Sequence, residues 1–339
     1  MQRSMPVPQA ELQTSTNPDT GKTALITGIS GQDGRFLRAS LLSQGYRVVG
    51  TTHRKPDGDT PTDSETIAMP LDDPAAIESV VRSVQPDEVY HLAARSSSAQ
   101  LFDDAHATAV INGLSAGCFL EAMARHCPQA RYVQACSSEV FAGTQVSPQN
   151  EQTAFSPVNA YGAAKAYAAH LVAAYRHHHG LHASTAILFN HESPLRPPHY
   201  VTRKISHGVA MIATGQARTI ELGPLDSRRD WGFAGDHVHA MWLMTQQAAG
   251  GDYVVSTGQS HSVREFCELA FARVGLDYRD HVVENLAWAR RSEAAPLVGD
   301  PTRARTQLGW QPQLDFEALV HLMVDSDMQL VQSGIPFQP

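Results

Sequence analysis

Through the first half of the chain, short apolar runs alternate with stretches of helical periodicity. Residues 23–28 (TALITG), 46–51 (YRVVGT), 88–93 (EVYHLA), 132–135 (YVQA) and 184–189 (STAILF) are short apolar runs, which predicts buried strands. Between them, 34–43, 77–84, 112–126 and 160–175 repeat their apolar residues at helical spacing, which predicts amphipathic helices. This alternation predicts an α/β fold, a Rossmann-like doubly wound parallel sheet with helices on both faces. After Asn190 the rhythm changes: residues 193–198 (SPLRPP) hold three prolines and exclude regular structure, and the elements beyond them read as shorter and mixed. The expected organisation is a flexible tail at 1–20 and a Rossmann domain at 21–190. That domain also receives roughly 233–250, where 236–247 is a good amphipathic helix. A smaller mixed α/β substrate-binding domain fills 191–339. No internal repeat is visible.

Composition narrows the classes. The 339 residues are 42% hydrophobic and 18% charged, ordinary for a globular enzyme able to bury a large core. The net charge of −8 is spread along the chain with no dense Lys/Arg block, so no nucleic-acid partner is expected. Cys118, Cys127, Cys136 and Cys267 match neither a zinc motif nor a disulfide framework, which reads as reduced thiols in a cytoplasmic protein. His177, His178 and His179 stand at a helix end before Gly180. Neighbouring helical positions point in different directions, so the triplet reads as a solvated terminus and no metal is expected. Residues 1–20 are rich in Gln, Pro, Ser and Thr and lack a signal peptide's apolar run. No stretch approaches the length of a membrane span, so no membrane partner is expected.

The chemistry gathers at strand ends. Gly28, Gly31 and Gly34 lie between the first strand and the first helix, where glycine lets backbone approach a pyrophosphate and the helix N-terminus offers amide donors. The second strand ends in Thr51-Thr52-His53-Arg54-Lys55, with two cations and no acid to accept the ribose hydroxyls. That pattern favours NADP over NAD, with Arg54 as partner of the 2′-phosphate. Tyr161 and Lys165, four apart at the start of a helix, share one face. A nearby ammonium favours the phenolate, so Tyr161 can act as a base near neutral pH while Lys165 holds the nicotinamide ribose. Ser137, Ser138 and Glu139 follow a strand, where α/β proteins bind ligands. Hydroxyls there suit a sugar oxygen, and a carboxylate can move a carbon-bound proton.

The chain resembles the extended short-chain dehydrogenase/reductases and, within them, the GDP-mannose 4,6-dehydratase family, from about residue 22 to about 331. The resemblance is carried by TALITGISGQDGRFL from Thr23, NAYGAAK from Asn159, ILFNHESP from Ile187, VTRKI from Val201, RDWG from Arg229, AMWLM from Ala240, TGQSHSVREF from Thr257 and GDPTRARTQLGW from Gly299. It implies an internal redox cycle in which hydride leaves the sugar C4 and returns to C6 after water is lost. Tyr161 would deprotonate O4, Glu139 would remove the C5 proton, Ser137 would bind O4 and Ser138 would assist. The resemblance implies cofactor contacts at Gly28, Ser30, Gly31, Gln32, Asp33 and Gly34, and at Arg54 and Leu71. Further ones fall at Leu92, Ala93, Ala94 and Ser96, at Tyr161 and Lys165, and at Leu188, Asn190, His191 and Arg196. Implied GDP-sugar contacts are Asn190, Glu192, Thr202, Lys204, Leu222, Arg229, Arg290 (or Arg291, one residue on) and Glu293. Arginine suits the diphosphate because its planar fork pairs with phosphate oxygens.

Some positions depart from the family pattern. Met69-Pro70-Leu71 replaces Gly-Asp-Leu, and Pro224 replaces an Asn. Cys136 and Phe141 flank the Ser-Ser-Glu where other residues are usual. The loop 53–66 is short and lacks the Arg-Arg-Ser run by which the family builds a tetramer. The implied assembly is therefore a homodimer on helices 112–126 and 160–175, with a tetramer possible. The departures leave open the same dehydration on another GDP-sugar such as a GDP-heptose. A GDP-sugar reductase or epimerase would not need Glu139, and the intact Tyr161, Lys165 and Glu139 argue against a catalytically silent sugar-nucleotide-binding regulator.

Overall fold

Side chains that alternate along each strand enter two different cores, one on each face of a single sheet. The computed structural model describes residues 20–53, 65–96, 104–288 and 295–334. The chain begins β1 (Thr23–Thr27), α1 (Gln32–Ser43), β2 (Arg47–Thr52), β3 (Glu65–Ala68), α2 (Pro74–Val84) and β4 (Glu88–His91). One continuous helix follows, α3 (Ala105–Ala109) passing through a π-helical turn (Val110–Leu114) into α4 (Ser115–His126). Then come β5 (Arg131–Ala135), α5 (Ala160–His179) and β6 (His182–Leu188). The remainder holds β7 (Asn190–Glu192), α6 (Val201–Ala213), β8 (Ile220–Leu222), β9 (Arg228–Arg229), β10 (Trp231–Phe233), α7 (Ala234–Thr245) and β11 (Asp252–Val255). It closes with β12 (His261–Ser262), α8 (Val263–Ala272), β13 (Val282–Glu284), α9 (Thr302–Leu308) and α10 (Phe316–Gln332).

Seven strands form one parallel sheet in the order β11-β6-β5-β4-β1-β2-β3. The chain leaves β1 toward β2 on one side and later returns to β4 on the other. The carboxyl ends of β1 and β4 therefore border the crevice where such sheets bind ligands. Ala24, Ile26, Val48, Tyr90 and Val133 face a core shared with Phe36 and Leu37 of α1, and this core runs on to Ile205, Trp231, Phe266 and Phe316. Their neighbours Leu25, Val49, Val89 and Tyr132 face the opposite core with Ile77 and Val81 of α2 and Phe119, Leu120 and Met123 of α4. That period of two lets a fully buried strand serve both layers.

The structure corrects several expectations. The helix predicted at 112–126 begins at Ala105, where Asp104 caps it by accepting from the Ala107 amide at 3.0 Å. By length and composition alone this 22-residue helix could cross a bilayer, contrary to the reading that no stretch approaches that length. Its alanine-rich opening turns carry no apolar period to reveal them, and the helix packs against α2 and α5 with Phe119, Leu120 and Met123 fully buried. The helix predicted at 160–175 runs on to His179. The three exposed histidines close it before Gly180 at φ +65°. Beyond residue 190 the elements are not all short: α6 has 13 residues and α10 has 17. Their apolar faces are interrupted by Arg203, Ser206 and Asp327, which are buried and bonded to one another, so the helical period is weak to read.

Candidate active site

Backbone crowding shapes the turn after β1. Gly28 sits at φ +70°, and a Cβ there would come within 3.0 Å of the Ala93 Cα. A Cβ on Gly34 would lie 2.4 Å from the Gly28 carbonyl oxygen, so only glycine allows α1 to start this close to the strand. Gly31 caps α1 with no side-chain hydrogen bond, which leaves the first-turn amides and the positive end of the helix for a ligand. The uncapped helix end with its free amides suits a pyrophosphate by charge and by hydrogen-bond donors. The facing wall is fixed by Thr27, whose Oγ1 accepts from the Leu92 and Ala93 amides, both at 3.0 Å, and donates to His91 Nδ1 at 2.9 Å. Burial holds His91 neutral, with its pKa down at about 3. Asn112, inside the π-helical turn, clasps the same segment by accepting from the Arg95 amide (2.8 Å) and donating to the Arg95 carbonyl (3.0 Å).

The turn is also tied to the segment after β6. Gln32 donates to the His191 carbonyl at 3.0 Å and accepts from Ser193 at 2.8 Å. Asp33 pairs with His191 Nε2 at 2.9 Å, while Nδ1 of the same ring donates to the Phe189 carbonyl at 2.7 Å. Burial alone would raise the Asp33 carboxyl. The His191 charge and the hydrogen bonds of His191 and Gln32 overcome it and hold the group at about 2. Burial would likewise lower His191, but Asp33 raises it above its ordinary value. With both ring nitrogens donating, His191 is the cationic member of the pair. His237 stacks on it at 4.7 Å and is kept neutral, first by burial and then by the His191 charge, at about 3.

The catalytic candidates converge where β5 ends. Ser137 opens the turn that carries Glu139, accepting from the Glu139 amide at 3.3 Å. Gly162, in the first turn of α5, lies so near that a Cβ there would be 2.7 Å from the Glu139 carbonyl oxygen. Lys165 is buried, donates to the Ala135 carbonyl at 2.7 Å and stands 5.8 Å from the Tyr161 ring. Burial lowers its pKa to about 8. The expectation that Lys165 favours a Tyr161 phenolate is reversed in this arrangement. Burial pushes Tyr161 up, the Ser137 hydroxyl offsets only part of that, and the ammonium is engaged by a backbone carbonyl. Tyr161 is therefore held as a protonated hydroxyl.

Comparison with known proteins decides the family. Residues 25–323 match the model of the GDP-mannose 4,6 dehydratase family. GDP-mannose 4,6 dehydratase 1 of Arabidopsis thaliana is 40% identical over 329 residues, covering 92% of this chain and 91% of its own. The chain belongs to this family. The Homo sapiens GDP-mannose 4,6 dehydratase is 38% identical, with 92% of each chain covered. Among solved structures, Thermotoga maritima UDP-glucose 4-epimerase with UDP-glucose shares the fold at a TM-score of 0.82 and 20% identity, covering 91% of this chain and 99% of its own. RMD of Pseudomonas aeruginosa complexed with NADPH does so at 0.78 and 22%, with the same coverage.

The positions implied by the dehydratase family fall in three groups. The turn 28–34 with Ser30, the Leu92, Ala93, Ala94 and Ser96 segment, and Leu188, Asn190 and His191 all lie at or just beyond carboxyl ends of the sheet strands β1, β4 and β6. Leu71 follows β3 and packs on the core that holds α2. Glu192 and Thr202 bond to each other at 2.6 Å in the interior, and Glu192 pairs with Arg196 at 3.1 Å. Arg196 also covers the Tyr200 ring at 3.8 Å, and the Tyr200 hydroxyl reaches the Ser96 carbonyl at 2.9 Å, which joins the second group to the first. In the third group, Leu222 is buried, Arg229 lies on β9, and the Lys204 ammonium sits 4.5 Å from the Trp288 ring, beside Gly223. Arg54, Arg290 and Glu293 lie outside the described residues. Asn112, Asn159, Tyr200 and Trp288 escaped the sequence reading. Asn112 left a signal as a lone amide on an apolar helix, and Asn159 as a cap-type residue directly before a helical run.

Proposed function

We propose that the protein is an NADP-dependent GDP-mannose 4,6-dehydratase, converting GDP-mannose to GDP-4-keto-6-deoxymannose. The observation that carries this reading is Glu139 at the end of β5, packed against the first turn of the helix that bears Tyr161 and Lys165. Redox chemistry alone needs the tyrosine and lysine; loss of water also needs a base for a carbon-bound proton, and a carboxylate supplies it. Held by the 28–34 turn and Lys165, NADP would supply hydride acceptance at the sugar C4 and hydride return at C6. Tyr161, whose proton loss the positive charge of the oxidised nicotinamide would favour, takes the O4 proton as a phenolate while C4 is oxidised. The resulting ketone acidifies C5–H, Glu139 removes that proton and passes it to the C6 hydroxyl, which leaves as water, and the proton held by Tyr161 balances hydride return by restoring C5–H. Ser137 and Ser138 hold the sugar oxygens.

NADP rather than NAD follows from Arg54 and Lys55 after β2, where no acid stands. A homodimer is supported by Leu114 and Tyr167, 49% and 46% exposed on adjoining helices. Free cysteines suit a cytoplasmic location. The test is incubation with GDP-mannose and a GDP-heptose, each with NADP, followed by mass. Loss of one water from GDP-mannose is expected. Water lost only from the heptose moves the substrate and keeps the chemistry, whereas no loss from either overturns the reading. Separate titrations should give tighter NADP than NAD binding, with Arg54→Ala weakening NADP selectively.

A further inference from the structure

Asn159 occupies the junction between the two halves of the chemistry. It is the N-cap of α5, its Oδ1 accepting from the Gly162 amide at 2.8 Å. Its Nδ2 donates to Glu139 Oε2, also at 2.8 Å. One largely buried amide therefore closes the helix that presents Tyr161 and Lys165 and holds one oxygen of the carboxylate that follows β5. Capping needs only an acceptor, which Ser, Thr or Asp would supply equally well. An amide adds a donor on the far side of the cap, and that donor is on Glu139.

We infer that Asn159 is a positioning residue for the dehydration step, fixing the Glu139 carboxylate relative to Tyr161 so that oxidation and proton abstraction share one sugar pose. The inference rests on the dehydratase reading above. Oε2 is engaged by the amide, which leaves Oε1 the freer and more basic oxygen for the proton transfer, and carboxylate rotation is restrained by a contact belonging to the tyrosine's own helix. Misplacing a reacting group by about an ångström can cost on the order of a hundredfold in rate. The backbone approach of Gly162 to Glu139 brings the two elements together, but among the described residues only the Asn159 bond orients the side chain.

Substitutions that keep the cap separate this role from a structural one. Asn159→Ser retains an acceptor for the Gly162 amide and removes the donor. NADP affinity and melting temperature should stay at wild-type values, while dehydration slows about 10- to 100-fold, the rate equivalent of one hydrogen bond to a charged group. Single turnovers should then show a 4-keto intermediate and reduced cofactor building up. Asn159→Asp also caps, but sets a second carboxylate against Glu139. The acid limb of the dehydration rate should move about one pH unit or more toward alkaline, as for any close carboxylate pair. Difference infrared titration of the carboxylates, with Glu139→Gln as reference, reads the same contact without turnover. It therefore still decides if wild-type enzyme dehydrates no GDP-sugar and the functional reading itself fails. An Asn159→Ser protein that dehydrates at the wild-type rate would overturn the inference. So would one that loses NADP affinity and melting temperature along with rate. Should Asn159→Ser not fold, an unshifted acid limb and an unchanged carboxylate titration in Asn159→Asp would overturn it equally.

Discussion

The two halves of the molecule use buried polar groups in opposite ways. In the sheet up to residue 190 most strand positions are apolar, with Glu88, Gln134, Ser184 and Thr185 as buried exceptions, and the polar groups of the candidate site gather at carboxyl ends. There Thr27, Ser137, Glu139 and Lys165 hold backbone or face the crevice. Beyond residue 190 the buried charges act as staples between elements. Asp327 of α10 pairs with Arg203 of α6 at 2.6 Å and accepts from Ser206 at 2.6 Å. Asp230 gathers the Thr257, Gly258 and Gly299 amides and the Thr257 hydroxyl. Asp236 reaches across to the Gln313 and Leu314 amides before α10. A continuous parallel ladder satisfies its own backbone and needs no such help. Short strand pairs and bent connections leave amides that side chains must satisfy.

This contrast can be broken by substitutions that should cost activity in one half and stability in the other. The largest effect is expected from Glu139→Gln. An amide is no base at neutral pH, so dehydration should fall about 10²–10⁴-fold while reduced cofactor and a 4-keto species still form. Tyr161→Phe should give no reduced cofactor at all. Rapid-scanning absorbance with mass detection tells the two apart, and wild-type dehydration by Glu139→Gln would remove the carboxylate from the mechanism. Next comes Asp327→Ala, which leaves the Arg203 guanidinium buried against a void and should cost about 3–5 kcal/mol in urea unfolding. Replacing both partners by apolar residues of similar volume should recover most of that loss. A large loss of turnover with unchanged stability would mean that this pair is no staple.

Smaller effects are expected where the halves meet. Gly34→Ala forces a Cβ into the Gly28 carbonyl and should weaken NADP binding together with about 1–3 kcal/mol of stability, measured by titration and unfolding. An unchanged affinity would show that the turn has slack to give. His191→Gln sharpens the comparison through pH. His191 is raised above 6.5, so its charge stabilises the fold fully below pH 6.5 and less as pH climbs through the raised value. Asp33 is depressed from 3.8 to about 2, so its share is complete above pH 3.8 and fades as pH falls through about 2. The melting-temperature gap between wild type and His191→Gln should therefore be widest near pH 4–6 and narrow toward alkaline pH. A gap independent of pH would deny the ion pair.

How much of this could be read from the chain differs by region for the same physical reason. Periodicity reports burial, and in the sheet burial is nearly pure. The strands from Thr23 to Leu188 and their helices were legible to within a few residues, except for β3 and the alanine-rich start of the helix at Ala105. The glycine turn and the Tyr161–Lys165 spacing were legible because clearance and helical geometry restrict which residues can stand there. In α6 and α10 the buried Arg203 and Asp327 look like surface charges until the partner is known. Asn159 reads as an ordinary helix cap until Glu139 is placed beside it. By itself the sequence determined the layered sheet, its ligand-binding edge and the residues that carry chemistry, since these depend on local period and local clearance. The protonated state of Tyr161, the Asp33–His191 tie and the hold of Asn159 on Glu139 were decided only by the tertiary structure. Each is an interaction between groups far apart in the chain, whose strength depends on the water that folding removes.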